Sequence, residues 1–344
     1  MKHKSGPVSE LQNGQNNGLK NGLKNGLVVA GFGRHVMVET EASERIICHP
    51  RGKKNTAVVG DRIQWLATQD EGTIEKLEPR KNLFYRQDEI RTKSFAANLD
   101  QILILIAAEP EFSESQLSRA LIAAEAEHIK PIIALNKSDL TVPFAKAWQR
   151  LQPYKAMGYE VVSLSLKPKN VSVASAAAEF DVEQIEQQVQ LLMSLLQGKT
   201  TLVLGPSGAG KSTLINAVVP HATVFTQEIS QALNSGKHTT TSTTWYWVDE
   251  AKTTALIDSP GFQEFGLNHI EASHLASYMP DFKVHVPNCK FYNCTHLHEP
   301  GCGVLAAMLS SEKEHKSDGS RRIISLERYR IYSSLFSELS ETRY

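Results

Sequence analysis

The sequence predicts a multidomain chain: an N-terminal all-β barrel, a central α/β unit on a parallel sheet, and a C-terminal α-helical segment organised around a metal ion. Three observations predict it. Between Val28 and about Asp88 short alternating stretches are broken by glycines and charged turns, the pattern of closely spaced strands. From residue 98 apolar strands alternate with helical stretches, as in a parallel sheet covered on both faces. Between residues 289 and 302, three of the four cysteines crowd together beside histidines. A length of 344 residues accommodates two or three domains.

Composition narrows the class. With 41% hydrophobic and 22% charged residues the chain can bury real cores. Its longest apolar runs, such as Ile102 to Ala108, fall far short of the roughly 20 residues a membrane span needs. The start, Met-Lys-His-Lys-Ser-Gly, lacks the apolar core of an export signal. A cytoplasmic protein without a membrane partner is expected. Net charge is zero, yet residues 1 to 95 carry 16 Lys and Arg against 11 Asp and Glu, while residues 96 to 280 carry 12 against 18. A basic end beside an acidic middle permits an RNA contact at that end.

Residues 1–27 contain Asn17-Gly-Leu-Lys20, Asn21-Gly-Leu-Lys24 and Asn25-Gly-Leu27, too rich in Asn and Gly to pack a core, and are read as a disordered tail. Residues 28–92 are assigned to the barrel, with strands at Arg34–Glu39, Glu44–Cys48, Val58–Trp65 and Gly72–Leu77. An OB-type barrel fits that length and commonly binds oligonucleotides, with an SH3-like or purely structural barrel as the alternative. Cys48, alone in a strand, is read as a small buried hydrophobe.

Residues 93–270 form the α/β unit. Gln101–Ala107 is a buried strand, and Ser113-Glu-Ser-Gln116 opens a helix in capping-box spacing, with Leu117, Leu121 and Ala124 on one face. Pro131–Leu135 is the next strand and delivers Asn136-Lys137-Ser138-Asp139 to its carboxyl end, the edge at which open α/β sheets bind ligands. A strand at Tyr159–Leu164 precedes a helix with Ile185, Val189, Met193 and Leu196 on one stripe. Thr200–Leu204 then runs into Gly205-Pro206-Ser207-Gly208-Ala209-Gly210-Lys211-Ser212, followed by Thr213.

That Gly-x4-Gly-Lys-Ser pattern is a phosphate loop. Its N–H groups and the following helix N-terminus cradle phosphates, Lys211 reaches the β and γ oxygens, and the Ser212 hydroxyl can ligate Mg²⁺. Asn136-Lys-Ser-Asp139 matches a guanine reader: its aspartate accepts from N1–H and the 2-amino group, and adenine would leave that carboxylate unpaired. Ala255-Leu-Ile-Asp258-Ser-Pro-Gly261 has the strand-then-Asp-x-x-Gly form, with Asp258 placed to hold a Mg²⁺-bound water and the Gly261 N–H placed to sense the γ-phosphate. The guanine reader precedes the phosphate loop, the reverse of the ordinary order, so the α/β unit is a circularly permuted P-loop GTPase.

Gly236-Lys-His-Thr-Thr-Thr-Ser242 lies between the two phosphate motifs and reads as a first switch, in which Thr240 or Thr241 would complete the Mg²⁺ shell. Phe262 stands where many GTPases carry a water-orienting glutamine. Phenylalanine cannot position a water; His238 is the candidate that does, with Gln263 and a residue supplied by a partner behind it. Unassisted hydrolysis is then expected to be slow, on the order of 10⁻⁴ to 10⁻² per second, and to need an activator.

In residues 271–344, Cys289-x4-Cys294-x-His296-x5-Cys302 supplies a Cys₃His set for a closed, structural Zn²⁺ site, with His298 and His285 as rival nitrogen ligands. Helices are expected at Leu305–Leu309 and Arg321–Arg330; the arginines of the second would face either phosphates or solvent.

Together with Ala97-Asn-Leu-Asp-Gln101, Gly-Lys-His-Thr-Thr-Thr and the cysteine spacing, the permuted order resembles the bacterial ribosome small subunit-dependent GTPase A family from about residue 28 onward. The resemblance implies an OB barrel, a permuted GTPase and a C-terminal zinc domain, acting in late maturation of the 30S subunit, which stimulates hydrolysis. It also implies guanine contacts from Asn136, Lys137, Asp139 and Ser165, although Leu166 replaces the usual small residue beside that serine. The expected partners are the 30S subunit with its 16S rRNA, and GTP or GDP, without DNA; the chain is read as a monomer. Two other classes share parts of this pattern. An RNA-binding module with a vestigial site is disfavoured by the intact motifs, and an ATP-dependent enzyme by Asn136 to Asp139.

Overall fold

A computed structural model describes residues 22–52, 57–69, 71–89, 92–166, 176–219, 222, 243–260, 262, 265–313 and 324–341. The barrel strands are β1 (Leu23–Phe32), β2 (His35–Thr40), β3 (Arg45–Pro50), β4 (Arg62–Ala67) and β5 (Gly72–Leu77). They run β1-β2-β3-β5-β4, and β1 also pairs with β4, which closes the barrel. Alternation places Val28, Val36, Val38, Cys48, Ile63, Trp65 and Ile74 in its interior. Burial first, and then Glu71, push the Cys48 thiol up to about 11, so it packs as an apolar group.

The first strand begins inside the segment expected to be a tail. Leu23 to Leu27 pair with β4 from Leu66 to Arg62. The Asn-Gly-Leu repeat has the small residue this strand needs: a Cβ on Gly26 would meet Val38 Cγ1 at 2.3 Å. The remainder of that segment, residues 1–21, lies outside the described residues. A hairpin absent from the sequence reading follows the barrel: β6 (Leu83–Gln87) pairs with β7 (Thr92–Ala97), so the boundary expected at residue 92 falls within it.

The α/β unit contributes β8 (Gln101–Ala107), β9 (Lys130–Asn136), β10 (Glu160–Ser163), β11 (Thr200–Leu204), β12 (Thr244–Trp247) and β13 (Ala255–Asp258). Strands β10, β9, β8, β11 and β13 are parallel neighbours, and β12 is antiparallel to β13. All of Gln101–Ala107 is buried, because helices cover the sheet; each such Ile or Leu contributes about 1.5–3 kcal/mol. Ser113 caps α1 (Glu114–Ala126) by accepting from the Gln116 N–H at 3.3 Å. The other helices here are α2 (Thr141–Arg150), α3 (Gln152–Ala156), α4 (Ala176–Leu196) and α5 (Lys211–Val218).

Barrel and α/β unit share one sheet, because β1 pairs with β12 at Ala30 and Thr244. Asn98 ties the barrel to the α/β unit, and Asp100 and Gln101 tie β8 to β11 within it. Asn98 Nδ2 donates to the Gly60 carbonyl at 2.8 Å, Asp100 accepts from the Thr200 N–H at 2.9 Å, and Gln101 Nε2 donates to Thr201 Oγ1 at 3.0 Å.

The C-terminal part holds α6 (Pro280–Lys283), α7 (Gly303–Lys313) and α8 (Leu326–Ser340). Where the second helix is expected, α8 starts at Leu326, capped by Ser325, and residues 321–323 lie outside the described residues. Its Arg328 faces neither phosphates nor solvent. It is buried in a bidentate pair with Asp281 at 2.9 and 3.0 Å and donates to Ser118 Oγ at 2.7 Å. None of the described helices is long and apolar enough to cross a membrane.

Candidate functional site

Strand β11 ends at Leu204 and hands the chain to Gly205 at the carboxyl edge of the sheet, where a Cβ would lie 2.1 Å from the Leu105 carbonyl oxygen. Gly208 and Gly210 take φ values of +80° and +104°, open to glycine and costly to other residues. This turns the loop back so that Lys211 starts α5. Lys211 Nζ donates to the Gly205 carbonyl at 2.6 Å and the Pro206 carbonyl at 3.4 Å, bending over its own loop.

The parallel neighbour β13 ends at Asp258, on the same edge. Burial raises the Asp258 pKa, and Lys211 partly offsets this; burial likewise lowers that of Lys211, with Asp258 opposing. Asp258 Oδ1 is buried without a hydrogen-bond partner. A desolvated carboxylate in a cleft that Ser212 also lines suits a hard divalent cation.

On the other side, β9 delivers Asn136. Its Nδ2 donates to the Ala209 carbonyl at 2.8 Å, while its Oδ1 is buried without a partner. Lys137 takes a left-handed φ of 67° and its Nζ donates to the Glu109 carbonyl. Asp139 Oδ1 accepts from the buried Ser165 hydroxyl at 3.1 Å. Asn136, Lys137, Asp139, Gly205–Gly208, Gly210–Thr213 and Asp258 line one open cleft of about 640 Å³, with Ser165 behind Asp139. Ala209 is buried in the loop behind it. Leu166 and Phe262 also line the cleft. His238, Thr240, Thr241, Gly261 and Gln263 lie outside the described residues.

One contact to this region had no signal in the sequence: Lys93 of β7 donates to the Pro260 carbonyl at 2.8 Å across 167 residues.

The cysteine cluster is a second site. The ligand atoms of Cys289, Cys294, His296 and Cys302 all lie within 4.8 Å of one another, a group that could hold a metal ion. Of the three histidines weighed, His296 joins it, offering Nδ1 at 3.5 Å from both Cys289 Sγ and Cys302 Sγ. Backbone N–H groups of Gly303 and Leu305 donate to Cys289 and Cys302 sulfurs at 3.3 and 3.4 Å, which orients the two sulfurs. Glu299 holds the loop through the Thr295, Leu297 and His298 N–H groups. Tyr329 and Tyr332 hydroxyls dock α8 on the carbonyls of His296 and Thr295 at 3.0 and 2.9 Å.

Comparison with known proteins decides the family. The RsgA GTPase family model matches residues 77–268, over half the chain. The chain belongs to the RsgA GTPase family. A relative from Variovorax paradoxus (strain S110), named small ribosomal subunit biogenesis GTPase RsgA, is 66% identical over 318 residues, covering 92% of this chain and 93% of that protein. One of the same name from Paraburkholderia phytofirmans is 46% identical over 320 residues, with the same coverage. Among solved structures, YjeQ from Thermotoga maritima matches with a TM-score of 0.63 and 26% identity, over 93% of this chain and 100% of that one. YloQ, described as a circularly permuted GTPase, matches with a TM-score of 0.62 and 25% identity, over 94% and 98%.

As an RsgA family member the protein is a GTP hydrolase on a permuted α/β core, joined to a five-stranded barrel and a C-terminal Cys₃His segment. The family implies use of Mg²⁺ with the nucleotide. The vestigial-site and ATP-dependent readings fall away.

Proposed function

We propose that this GTPase is a checkpoint and release switch in late maturation of the 30S subunit, stimulated by that subunit and contacting its 16S rRNA in the cytoplasm as a monomer. The observation that carries the nucleotide half is the convergence of Asn136, Asp139, the Gly205–Thr213 loop and Asp258 on one cleft. The names of the relatives support the ribosomal half.

In this reading Asn136, Lys137, Asp139 and Ser165 hold guanine. Ser165 orients the Asp139 carboxylate, and the unpaired Asn136 Oδ1 remains as an acceptor at the base end. Gly205, Pro206, Ser207, Gly208, Ala209, Gly210, Lys211, Ser212, Thr213 and Gly261 surround the phosphates. Lys211 leaves its carbonyl partners for the β and γ oxygens, where its charge stabilises the transition state. Ser212, Asp258, Thr240 and Thr241 would hold Mg²⁺, which supplies charge neutralisation on the phosphates. Phe262 is buried and apolar, so His238 is assigned the water.

The Cys₃His group is assigned one structural Zn²⁺. Tetrahedral ligation with usual bond lengths places sulfurs about 3.8 Å apart and sulfur and nitrogen about 3.6 Å apart. Cys289 and Cys302 sulfurs are 3.9 Å apart and each is 3.5 Å from His296 Nδ1. Four protein ligands leave no open position, so the site holds structure.

The test is steady-state GTP hydrolysis by the pure protein alone, with 30S subunits and with 50S subunits. Stimulation by 30S only is expected. Slow hydrolysis indifferent to both subunits would keep the GTPase and remove the ribosomal role.

A further inference from the structure

The chain that follows Asp258 is tied to other parts of the molecule on both sides of residues 261–264. On the near side, Lys93 holds the Pro260 carbonyl. On the far side stands Phe265, fully buried, its ring stacked on Phe95 at 5.8 Å and tilted against Phe84 at 5.6 Å. Its main chain is gripped as well, and both grips come from α1: Gln116 Oε1 accepts the Phe265 N–H at 3.3 Å, and Arg119 Nη1 donates to the Phe265 carbonyl at 3.3 Å. Next, the Gln87 N–H donates to the Gly266 carbonyl at 3.1 Å and the Asn268 N–H donates to the Gln87 carbonyl at 2.9 Å.

Arg119 does not act there alone. Its Nη1 also donates to Glu338 Oε1 at 2.9 Å and its Nη2 pairs with Glu338 Oε2. Glu338 belongs to α8, the helix whose tyrosines dock on the Cys₃His loop. A guanidinium held bidentately by a carboxylate has its plane fixed, so its remaining contacts are aimed. The Arg119 side chain is 14% exposed against 36% for Glu338, which shields the pair from full solvent screening.

We propose that Arg119 is a positioning residue for GTP hydrolysis: it anchors the exit of the Asp258 loop, and Glu338 links that anchor to the C-terminal metal-loop unit. The proposal rests on the GTPase activity and is independent of any ribosomal role. In a GTPase the γ-phosphate selects one arrangement of the chain after the Asp-x-x-Gly motif, and GDP does not. An exit anchor restricts the alternatives to that arrangement. Losing it lowers the fraction of GTP-bound molecules competent for hydrolysis while leaving GDP affinity unchanged.

The experiment uses the full chain with its metal loaded. Single-turnover GTP hydrolysis, KM for GTP, and affinities for GDP and a non-hydrolysable GTP analogue are measured for wild type, Arg119→Gln, Arg119→Lys, Glu338→Ala and the Arg119→Gln/Glu338→Ala pair. Arg119→Gln is expected to slow hydrolysis about tenfold, the factor that accompanies loss of one charge-assisted hydrogen bond, and to weaken the analogue but not GDP. Arg119→Lys should recover part of the rate, Glu338→Ala should slow it several-fold, and the pair should be no slower than Arg119→Gln. Unchanged hydrolysis in a folded Arg119→Gln, parallel losses for GDP and the analogue, or additive effects in the pair overturn the proposal. If Arg119→Gln does not fold, Glu338→Ala decides: a wild-type rate overturns it, and a slower rate with GDP affinity retained supports it. Absence of hydrolysis by the wild type overturns this proposal together with the GTPase reading, whereas wild-type rates in the variants overturn this proposal alone.

Discussion

Gly210 is the point at which the two halves of the nucleotide cleft touch. With φ at +104° it disfavours any side chain, and a Cβ there would lie 2.4 Å from Asn136 Nδ2, the atom that donates to the Ala209 carbonyl. Gly210→Ala therefore combines about 1–2 kcal/mol of backbone strain with displacement of Asn136. Affinity for a fluorescent GDP is expected to fall tenfold or more, since about 1.4 kcal/mol corresponds to tenfold; wild-type affinity would show that Asn136 moves aside at no cost. The glycine spacing was legible in the sequence because the phosphate-loop pattern is local. The contact to Asn136 was not, because it spans 73 residues. Arg328 teaches the same point from the opposite side: among other arginines it reads as a surface cation, and distant partners, Asp281 and Ser118, make it a buried one.

At the scale of elements, periodicity revealed the buried strands β8 and β9 and the cap of α1, since each is written in consecutive residues. It named no strand at β1, over whose first residues Asn and Gly composition concealed pairing made by partners on β4. The cysteine loop was legible through spacing alone, because a metal group needs few residues and no sheet. It yields a sharp prediction about thiols. Cys48 is sealed in the barrel with its pKa near 11, and the other three cysteines face one another. A thiol reagent at neutral pH should find no reactive cysteine in the metal-loaded protein, three after chelation, and four after denaturation. A cysteine that reacts before chelation and maps to Cys48 would sink the barrel packing. One that maps to the loop would remove a ligand from the set.

At the scale of the whole molecule, the barrel is built into the GTPase rather than tethered to it, and nothing in the linear pattern announces this. Strand β12 and strand β13, which ends at Asp258, are joined by a turn that carries Lys252. Glu39 of the barrel, 7% exposed, accepts from Trp247 Nε1 at 3.0 Å and from Lys252 Nζ at 2.6 Å, while Lys252 also donates to Ser43 Oγ at 2.7 Å. The shared edge pairs Ala30 with Thr244, and these side chains add a second tie beside it. Glu39→Ala would leave the Trp247 N–H without its acceptor, a loss of about 1–3 kcal/mol. Glu39→Gln keeps an acceptor for Trp247 and loses the charge facing Lys252, so it should fall between the two. Because the lost contacts join two cores rather than fill one, the expected signature in calorimetry is a change of cooperativity: a coincident transition of barrel and GTPase in the wild type, and separation of a lower barrel transition in Glu39→Ala. A uniform downward shift with the transitions still coincident would mean that the shared sheet, and not the Glu39 cluster, couples the two units.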